Sequence, residues 1–306
     1  MSWTCLQCGF TLPVDAPRYP VHCKCGLVDR GPEIPPEPPR PRWVTLVERL
    51  RAVELLCQKL PRDITRVIGV ARSGLFAAGV LAERLHVPLW SISPATGPLD
   101  LGHGARLQSV ATDGVTLVVD DTAASGYSLS QLEPVLPADS VFACLYCAPQ
   151  CRQRVRLFAE LLPLPHYLEW NLFNSVHTAT LATDIDGVLC PDPPEGLSEC
   201  QYERWLQNAP LWQRPLRDTL PVIATGRRRR YRKHTEQWLA ERGIRYQLLV
   251  VPESEIDWLH PAEMKADAYA ASSATVFVES DPQQARAIAN RSKKRVICPA
   301  TKEVFN

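Results

Sequence analysis

The stretch GVTLVVDDTAASGYS, from Gly114 to Ser128, decides how the rest of the chain is interpreted. A mostly apolar run leads directly into two adjacent acids, Asp120 and Asp121, and small residues with hydroxyl groups and a glycine follow. Two neighbouring carboxylates each raise the free-energy cost of ionising the other, so packing alone does not favour this pair in a buried strand. The pattern predicts a strand that ends in a binding site, followed by a loop that opens a helix.

Strand-type and helix-type patterns alternate on both sides of this stretch, between residues 43 and 174. Alternation of this kind predicts a parallel sheet with helices on its faces. Ligands of such sheets bind at the carboxyl ends of the strands, where Asp120 and Asp121 fall. The predicted elements are a helix over 43–60, a strand over 64–70, a helix over 74–86, and strands over 87–93, 114–120 and 140–148.

The alternation starts again in residues 175–306, which predict a second α/β unit. The predicted fold class is therefore α/β, with two parallel-sheet domains over 43–174 and 175–306. The predicted strands of the second unit are 178–184, 220–225, 246–251, 275–279 and 295–299, and its predicted helices are 231–243, 261–272 and 282–292.

Residues 1–30 carry two close cysteine pairs, and each pair is followed by a glycine. Four thiolates so spaced suit a tetrahedral zinc site, and glycine lets the backbone turn tightly around the metal. Because a segment of about 30 residues cannot build a stable core alone, we predict a zinc-ribbon-like module with a structural Zn²⁺; free cysteines are the alternative. Residues 31–42, half of them proline, predict an extended linker. The predicted zinc ligands are Cys5, Cys8, Cys23 and Cys25.

The bulk composition limits the classes of function. The chain has 306 residues, 45% apolar and 22% charged, which is typical of a globular protein. The net charge of +1 does not favour nucleic acid as a partner of the whole molecule. No apolar run approaches the roughly 20 residues of a membrane span, and the N-terminus lacks the basic start and apolar core of a secretory signal. Eleven cysteines without such a signal indicate a reducing compartment, so we expect a cytoplasmic protein.

The loop after the acid pair has the composition of a phosphate pocket. Backbone N–H groups at a helix start, together with serine hydroxyls, bind phosphate oxygens. Carboxylates beside them would repel phosphate and fit better as acceptors for sugar hydroxyls, with Mg²⁺ offsetting the charge. We therefore expect a site for a phosphorylated ribose. Its predicted residues are Asp120, Asp121, Ala124, Ser125, Gly126 and Ser128.

The segment TLVVDDTAASG, residues 116–126, resembles the diphosphate-sugar signature of the type I phosphoribosyltransferases. That signature is four apolar residues, two acids, three variable residues, Ser or Thr, and Gly, and the segment fits it throughout. The resemblance implies that phosphoribosyl diphosphate (PRPP) and a nucleobase are the small-molecule partners. It further implies that an upstream diphosphate loop corresponds to Arg72, Ser73 and Gly74.

Two other parts of this family's site have counterparts by position in the chain. The glycine-rich segment 93–114 lies where the family carries a mobile loop, from which Arg106 or His103 would reach the substrate. Some relatives stack the base on an aromatic residue near the position of Trp170 or Phe173. Packing between the two domains is the alternative role for Phe173.

A second acidic strand end occurs in ATLATDIDGVLC, residues 179–190, where Asp186 follows Asp184. This layout suits an aspartate nucleophile that attacks phosphorus, with Mg²⁺ between carboxylate and phosphate and a second aspartate as acid/base. The segment resembles the first motif of the haloacid dehalogenase (HAD) superfamily, Asp-x-Asp-x-Thr/Val, with Val188 in the last place.

The later HAD motifs have counterparts in order along the chain. The resemblance implies that Thr225 bonds a phosphoryl oxygen and that Lys265 offsets the charge of Asp184 and phosphate. Glu279 and Asp281 correspond to the Mg²⁺-binding motif, in a form that leaves open which acid is the ligand. The short interval between 187 and 221 has no room for a large cap domain, so we expect an open site or one covered by the neighbouring domain.

Both signatures on one chain predict a bifunctional enzyme. The first domain would join a base to PRPP, and the second would dephosphorylate the nucleotide to a nucleoside. Two alternatives stay open: a nucleic-acid end-processing or binding factor, suggested by the zinc module and by the six basic residues within 227–233, and a PRPP sensor without catalysis. The chain could also form a homodimer.

Overall fold

The structure is a computed structural model that describes residues 41–104, 114–215 and 217–306, together with four two-residue strands nearer the N-terminus; the side chain of Val176 is not described. Two compact units are present, 1–40 and 41–306. In the first unit, the strands pair antiparallel, β1 with β2 and β3 with β4. The four predicted zinc ligands lie outside the described residues, so the zinc module and the 31–42 linker stay predictions. The strands are β1 (Trp3–Thr4), β2 (Thr11–Leu12), β3 (Val21–His22) and β4 (Val28–Asp29).

The first half of the larger unit contains a six-stranded sheet in the order β11-β10-β9-β6-β7-β8. All neighbours are parallel except the last pair. Helices α1 and α2 pack on this sheet, and a separate two-stranded sheet joins β5 and β12 in parallel. The strands are β5 (Trp43–Val44), β6 (Ile64–Val70), β7 (Leu89–Ser93), β8 (Gly97–Asp100), β9 (Val115–Ala123), β10 (Ser140–Cys147), β11 (Leu157–Leu161) and β12 (Tyr167–Leu168), and the helices are α1 (Leu46–Cys57), α2 (Gly74–Leu85), α3 (Tyr127–Leu132) and α4 (Glu169–Leu172).

Three local expectations for this half were wrong. The first helix begins at Leu46 rather than residue 43, because the Thr45 side chain accepts from the backbone N–H of Glu48 in a capping box and the two residues before it pair with β12. The strand β8 lies inside the segment predicted to be an unpatterned loop; it pairs antiparallel with β7, so its partner rather than its own sequence fixes it. The strand β11 was not predicted.

The second half repeats this plan with the sheet order β15-β14-β13-β16-β17-β18. Only the last pair, β17 with β18, is antiparallel. The prediction of mixed α/β architecture with mainly parallel sheets is therefore confirmed. The strands are β13 (Leu181–Thr183), β14 (Leu220–Ala224), β15 (Tyr246–Val250), β16 (Val276–Val278), β17 (Arg295–Cys298) and β18 (Glu303–Phe305), and the helices are α5 (Glu199–Asn208), α6 (Arg232–Glu241), α7 (Glu255–Leu259), α8 (Pro261–Ala271) and α9 (Pro282–Ser292).

The second half differs from expectation at its first strand and after its last predicted strand. The predicted strand 178–184 is a 3₁₀ helix over Val176–Thr180 followed by a short strand, which ends immediately before Asp184. The chain does not end with β17, because residues 299–302 turn back and β18 pairs with it. The sequence reasoning also missed α5 and α7, which are short amphipathic or polar helices.

Residues near both predicted domain boundaries pack into the core of the second half. Trp43 and Phe173 are buried there beside Leu181 and Ile297. The backbone N–H of Trp43 also donates to the Lys302 carbonyl at 3.1 Å. The packing role considered for Phe173 is therefore the one the structure shows. Among the described residues, no helix is long and apolar enough to cross a membrane.

The end of β9 is unpaired on one side, because its pairing with β6 stops earlier than its pairing with β10. The last pairing with β6 joins Gly69 to Val119, whereas the pairing with β10 continues to Ala123. Asp120 therefore protrudes past β6, and the start of α2 fills the space beside it. A Cβ atom on Gly74 would lie 2.4 Å from the Val119 carbonyl oxygen and 3.0 Å from the Asp120 Cα, so only glycine fits.

We predict that Gly74→Ala lowers the free energy of unfolding by about 2 kcal/mol, because the added methyl group meets backbone rather than a flexible side chain. Gly79→Ala in the same helix is the matched control, since a Cβ there meets nothing within 4 Å. That control should leave stability unchanged or raise it by up to about 1 kcal/mol, as expected for alanine in a helix. Urea unfolding of both variants checks this, and equal effects would contradict the close packing.

Candidate active sites

The two acids of the first site are almost completely buried in β9. Asp120 is 7% exposed and Asp121 is 3% exposed. The Asp120 Oδ1 accepts from the backbone N–H of Asp121 at 2.8 Å, and the Asp121 Oδ2 accepts from the indole Nε1 of Trp170 at 2.9 Å. Burial, and next the Asp121 charge, raise the pKa of Asp120 well above its usual range. A buried carboxyl group with a pKa raised in this way is typical of a functional site.

The loop predicted to hold phosphate opens a helix, as the sequence indicated. Gly126 has a φ of +76° and precedes α3, which begins at Tyr127. The Ala124 carbonyl accepts from the Gln150 side chain at 2.8 Å, and the Gly126 carbonyl accepts from Arg154 at 3.4 Å. The loop is therefore held from the segment after β10. Ser125 and Ser128, the two serines assigned to phosphate, are exposed.

The predicted diphosphate loop lies at the same sheet edge. Arg72 is exposed after β6, and its peptide bond with Ala71 is cis. A cavity of about 590 Å³ opens between the two halves here. Neither Asp120 nor Asp121 is among its lining residues, since both lie below its surface. From the first half the lining includes Arg72, Ser73, Thr122, Ala124 and His166, and from the second half it includes Thr180, Leu181, Thr275, Val276 and Arg295.

Trp170 is close to the predicted ribose site, but a side chain already covers one of its faces. The guanidinium carbon of Arg49 lies 4.3 Å from the centre of its ring. Sequence reasoning missed Arg49, because one arginine in an amphipathic helix carries no local signal. Arg106 lies outside the described residues, and His103 is exposed in the loop after β8.

The second site collects its residues from three adjacent strands. Asp184 follows β13, Thr225 follows β14 and Glu279 follows β16, and these strands are neighbours in the sheet. The predicted gathering of the motifs at one carboxyl edge is therefore what the structure shows. Lys265 reaches this edge from α8. Thr225 is fully buried, and its hydroxyl oxygen accepts from the backbone N–H of Arg227 at 3.4 Å.

Lys265 is a buried cation between two carboxylates. Its Nζ donates to Asp184 Oδ2 at 2.5 Å, to Glu279 Oε2 at 2.6 Å and to the Gln284 side chain at 2.9 Å. Burial works to lower the pKa of Lys265, but the two carboxylates outweigh it and raise that pKa. Burial raises the pKa of Asp184 despite the lysine, and burial together with Asp184 raises the pKa of Glu279 to about 7.

Asp186 is held by a residue that the sequence reasoning did not single out. Arg227 is buried and forks onto both oxygens of Asp186, with Nε to Oδ2 at 2.9 Å and Nη2 to Oδ1 at 2.6 Å. Although burial opposes it, the Asp186 charge raises the pKa of Arg227. The first arginine of the basic run is thus part of the site.

The next arginines of that run are paired with acids. Arg228 lies 3.7 Å from Glu255 and also stacks on Trp258, with its guanidinium carbon 3.7 Å from the ring centre. The other pairs are Arg229 with Glu253 at 3.0 Å, Arg230 with Glu199 at 2.9 Å and Arg232 with Glu236 at 2.8 Å. The charge of the run is therefore largely offset within the fold, which weakens the case for a nucleic-acid surface.

Asp184, Asp186, Lys265 and Glu279 line a cavity of about 690 Å³, and an aspartate absent from the sequence-based assignment, Asp192, lines it too. Burial and the nearby carboxylates raise the pKa of Asp192. The side chain of Trp212 lies on the same cavity and is 57% exposed. Asp281 also lines it, and caps α9 by accepting from the backbone N–H groups of Gln283 and Gln284. Every described lining residue belongs to the second half, so the site is open rather than covered by the first half.

The oxygen donors of this cavity suit Mg²⁺ in chemical type. In residues 41–104, 114–215 and 217–306, no group of three or more His, Cys, Asp or Glu side chains is arranged to hold a metal ion. Lys265 and Arg227 engage the carboxylates of Asp184, Glu279 and Asp186 instead. Mg²⁺ is commonly bound by one or two carboxylates together with substrate phosphate and water, so this donor set fits it without a complete protein cage.

The two sites lie at opposite edges of the second sheet. Leu181, Val276 and Arg295, which line the cavity next to the first site, are the first residues of their strands. Asp184 and Glu279 follow the last residues of β13 and β16. The first site therefore borders the amino edge of the second sheet, and the second site opens at the carboxyl edge.

Solved structures that resemble part of this chain are phosphoribosyltransferases. A purine phosphoribosyltransferase from Pyrococcus horikoshii is 21% identical, with a TM-score of 0.32, over 42% of this chain and 93% of its own. The xanthine-guanine-hypoxanthine phosphoribosyltransferase of Helicobacter pylori is 16% identical, with a TM-score of 0.33, over 42% and 92%. An orotate phosphoribosyltransferase from Aeropyrum pernix is 28% identical, with a TM-score of 0.27, over 37% and 70%.

No protein-family model and no curated protein matches the chain. At such TM-scores the structural likeness does not bear on activity, which must be assigned from the residues of this chain. The HAD-like and zinc-ribbon-like assignments stay predictions.

We predict that Asp120→Asn makes the protein more stable at pH 7.5, by about 1 kcal/mol, while abolishing ligand binding at the first site. The folded-state pKa of Asp120 is raised, so its ionised form costs stability at neutral pH, and this cost disappears as the pH falls towards the unfolded pKa. The gain should therefore shrink in urea unfolding at acidic pH. The amide oxygen can still accept from Asp121.

Asp139→Asn serves as the control of opposite sign. A hydrogen bond from Thr116, and Arg66 as well, lower the pKa of Asp139, so its ionised form stabilises the fold above the unfolded pKa. This variant should be less stable than the wild type at pH 7.5. A stability gain in Asp120→Asn that does not depend on pH would contradict the charge-burial explanation.

Proposed function

We propose that this protein transfers phosphoribose from PRPP to a nucleobase-like acceptor and then removes the phosphate from the nucleotide product. The observation that carries the proposal is the convergence of three predicted parts at one sheet edge. Arg72, Ser73 and Ala124 line one cavity, and Asp120 and Asp121 are buried in β9 directly before Thr122, which lines it too. Their arrangement suits a sugar that carries phosphate on one side and diphosphate on the other.

In the first reaction, a nitrogen of the base forms a bond to the anomeric carbon of the ribose while the bond to diphosphate breaks. Positive charge develops on the sugar at that point, and the carboxylates of Asp120 and Asp121 stabilise it while accepting from the ribose hydroxyls. Arg72 and the start of α2 hold the leaving diphosphate. Mg²⁺ bound with the diphosphate would offset its charge.

In the second reaction, Asp184 attacks the phosphorus of the nucleotide, and the ester bond to the nucleoside oxygen breaks. Asp186 gives that oxygen a proton, and later takes one from the water that hydrolyses the aspartyl phosphate. Asp184, Asp186 and either Glu279 or Asp281 would hold a Mg²⁺ that offsets charge on the transferred phosphate.

Removing the phosphate would make a reversible transfer proceed in one direction. Because the two sites lie at opposite edges of the second sheet, the nucleotide leaves the first site and crosses solvent before it reaches the second. The cytoplasmic location, a homodimer and a zinc-bound N-terminus remain predictions.

The test is to incubate the protein with PRPP, Mg²⁺ and a panel of purine and pyrimidine bases. The wild type should form diphosphate, nucleoside and inorganic phosphate. Asp184→Asn should form nucleotide at the wild-type rate and accumulate it, because the first site is intact. Asp121→Asn should form neither nucleotide nor nucleoside, yet should still release phosphate from added nucleotide. No turnover and no PRPP binding with any base would overturn the proposal.

The same assay separates the alternatives. A PRPP sensor would bind PRPP without turnover. An end-processing factor would release phosphate from oligonucleotide ends rather than from mononucleotides, but the offset charge of the basic run gives it little support.

We predict that Trp212→Ala raises the KM for nucleoside monophosphates by about tenfold or more and leaves the KM for ribose 5-phosphate unchanged. The exposed indole on the rim of the cavity is placed to stack on a base, which is worth about 1–3 kcal/mol. Trp258→Ala is the control, since Trp258 stacks under Arg228 and does not line the cavity. Steady-state phosphate release measures both, and equal KM changes for the two substrates would refute base stacking.

A further inference from the structure

Arg49, on helix α1, is a buried cation between two aromatic rings. It is 5% exposed, and its guanidinium carbon lies 4.2 Å from the centre of the Phe76 ring and 4.3 Å from that of Trp170. Its Nη2 donates to the carbonyl of Ser73 in the Arg72 loop at 2.5 Å. The guanidinium is thus fixed in position before any ligand arrives.

The charge of Arg49 is poorly compensated. Its buried Nε has no hydrogen-bond partner among the described residues. The Asp121 carboxylate accepts from Trp170 instead. Burial lowers the pKa of Arg49, and Asp121 opposes this only in part. A buried cation normally has a paired anion, because desolvation is otherwise costly.

A cavity of about 260 Å³ lies against this guanidinium. Arg72 lines the same cavity, so two guanidinium groups border one space. No acidic side chain is among the described residues that line it. The lining consists of Arg49, Arg72, Ser73, Phe76, Trp170, Asn171 and Asn174.

We propose that this cavity binds an oxyanion and that Arg49 supplies donors to it together with Arg72. The proposal rests on the proposed function, because Arg72 belongs to the predicted diphosphate loop. The anion is either the diphosphate of the donor or an acidic group on the acceptor. The planar fork of a guanidinium suits both, since its donors pair with phosphate and carboxylate oxygens alike.

The arrangement assigns Trp170 a different role from base stacking. One face of its indole supports Arg49, and its Nε1 holds Asp121. Trp170 therefore connects the anion cavity to the ribose acids, and it positions both groups rather than contacting the base through the covered face.

The test uses the full-length protein and the variants Arg49→Gln and Arg51→Gln. Arg51 lies on the same helix and is exposed, which makes it the matched control. Inorganic pyrophosphate is titrated by calorimetry, and the rise of Tm that it causes is recorded. If the anion is the diphosphate, Arg49→Gln should weaken pyrophosphate binding by about tenfold or more, and Arg51→Gln should leave it unchanged.

A second arm identifies an acidic acceptor. If Arg49 binds the acceptor, pyrophosphate affinity stays unchanged in Arg49→Gln, whereas the KM for the carboxylate-bearing base orotate rises and that for the neutral base hypoxanthine does not. Unchanged values in both arms would overturn the proposal. Loss of pyrophosphate binding in Arg72→Gln alone would then leave the proposed function standing, whereas a wild type that binds neither pyrophosphate nor PRPP would overturn both.

A purely structural role for Arg49 predicts a different result. It would lower the Tm of the ligand-free variant and leave both the pyrophosphate-induced rise of Tm and the KM for orotate intact, which would count against the proposal. If the anion is the diphosphate, we expect Arg49→Gln to keep the Tm of the ligand-free protein and to reduce the pyrophosphate-induced rise of Tm. If Arg49→Gln does not fold, Arg49→Lys keeps the charge without the planar fork, and it should fold with a smaller pyrophosphate-induced rise than the wild type.

Discussion

Buried charge at the carboxyl edges of two parallel sheets is the constraint on which this structure depends. A carboxylate taken out of water must find a cation, hydrogen-bond donors or a ligand. In the second half, Lys265 lies between Asp184 and Glu279, and the fork of Arg227 holds Asp186. In the first half, the donors that the described residues offer to the carboxylates of β9 are a backbone N–H and an indole N–H, with no cation paired to either acid.

The difference between the two sites has a functional meaning. In the second site, Lys265 and Arg227 pair with three of the carboxylates, Asp184, Glu279 and Asp186. In the first site, Arg49 and Arg72 line a cavity that has no acidic side chain among its described lining residues, and Asp120 and Asp121 are buried in β9. Guanidinium groups beside buried carboxylates suit a ligand that brings both an oxyanion and hydroxyl groups, which is the type of ligand proposed for this site.

The contact between the halves constrains how the two activities would work together. Trp43, in β5, and Phe173, directly after α4, are buried in the core of the second half. This packing turns the amino edge of the second sheet towards the first site and leaves the second site facing away. The second half therefore contributes Thr275 and Arg295 to the wall of the first cavity, but its own reactive edge is not shared. The described residues form no chamber that the two sites share.

The sequence by itself determined the α/β class, the acid-bearing strand ends and the convergence of distant motifs at sheet edges. Alternating apolar patterns can be recognised within short segments of sequence. The carboxyl ends of parallel strands lie at one edge of the sheet, so residues that follow different strands are expected to lie together. It failed for β8 and β11, whose partners rather than their own residues make them strands. Only the tertiary structure decided that Arg227 pairs with Asp186, that Arg49 lies between two rings beside Arg72, and that the two sites open in different directions. Those outcomes depend on which helix packs against which loop across long stretches of chain, and a single arginine in a helix or a basic run carries no sign of the neighbour it will meet.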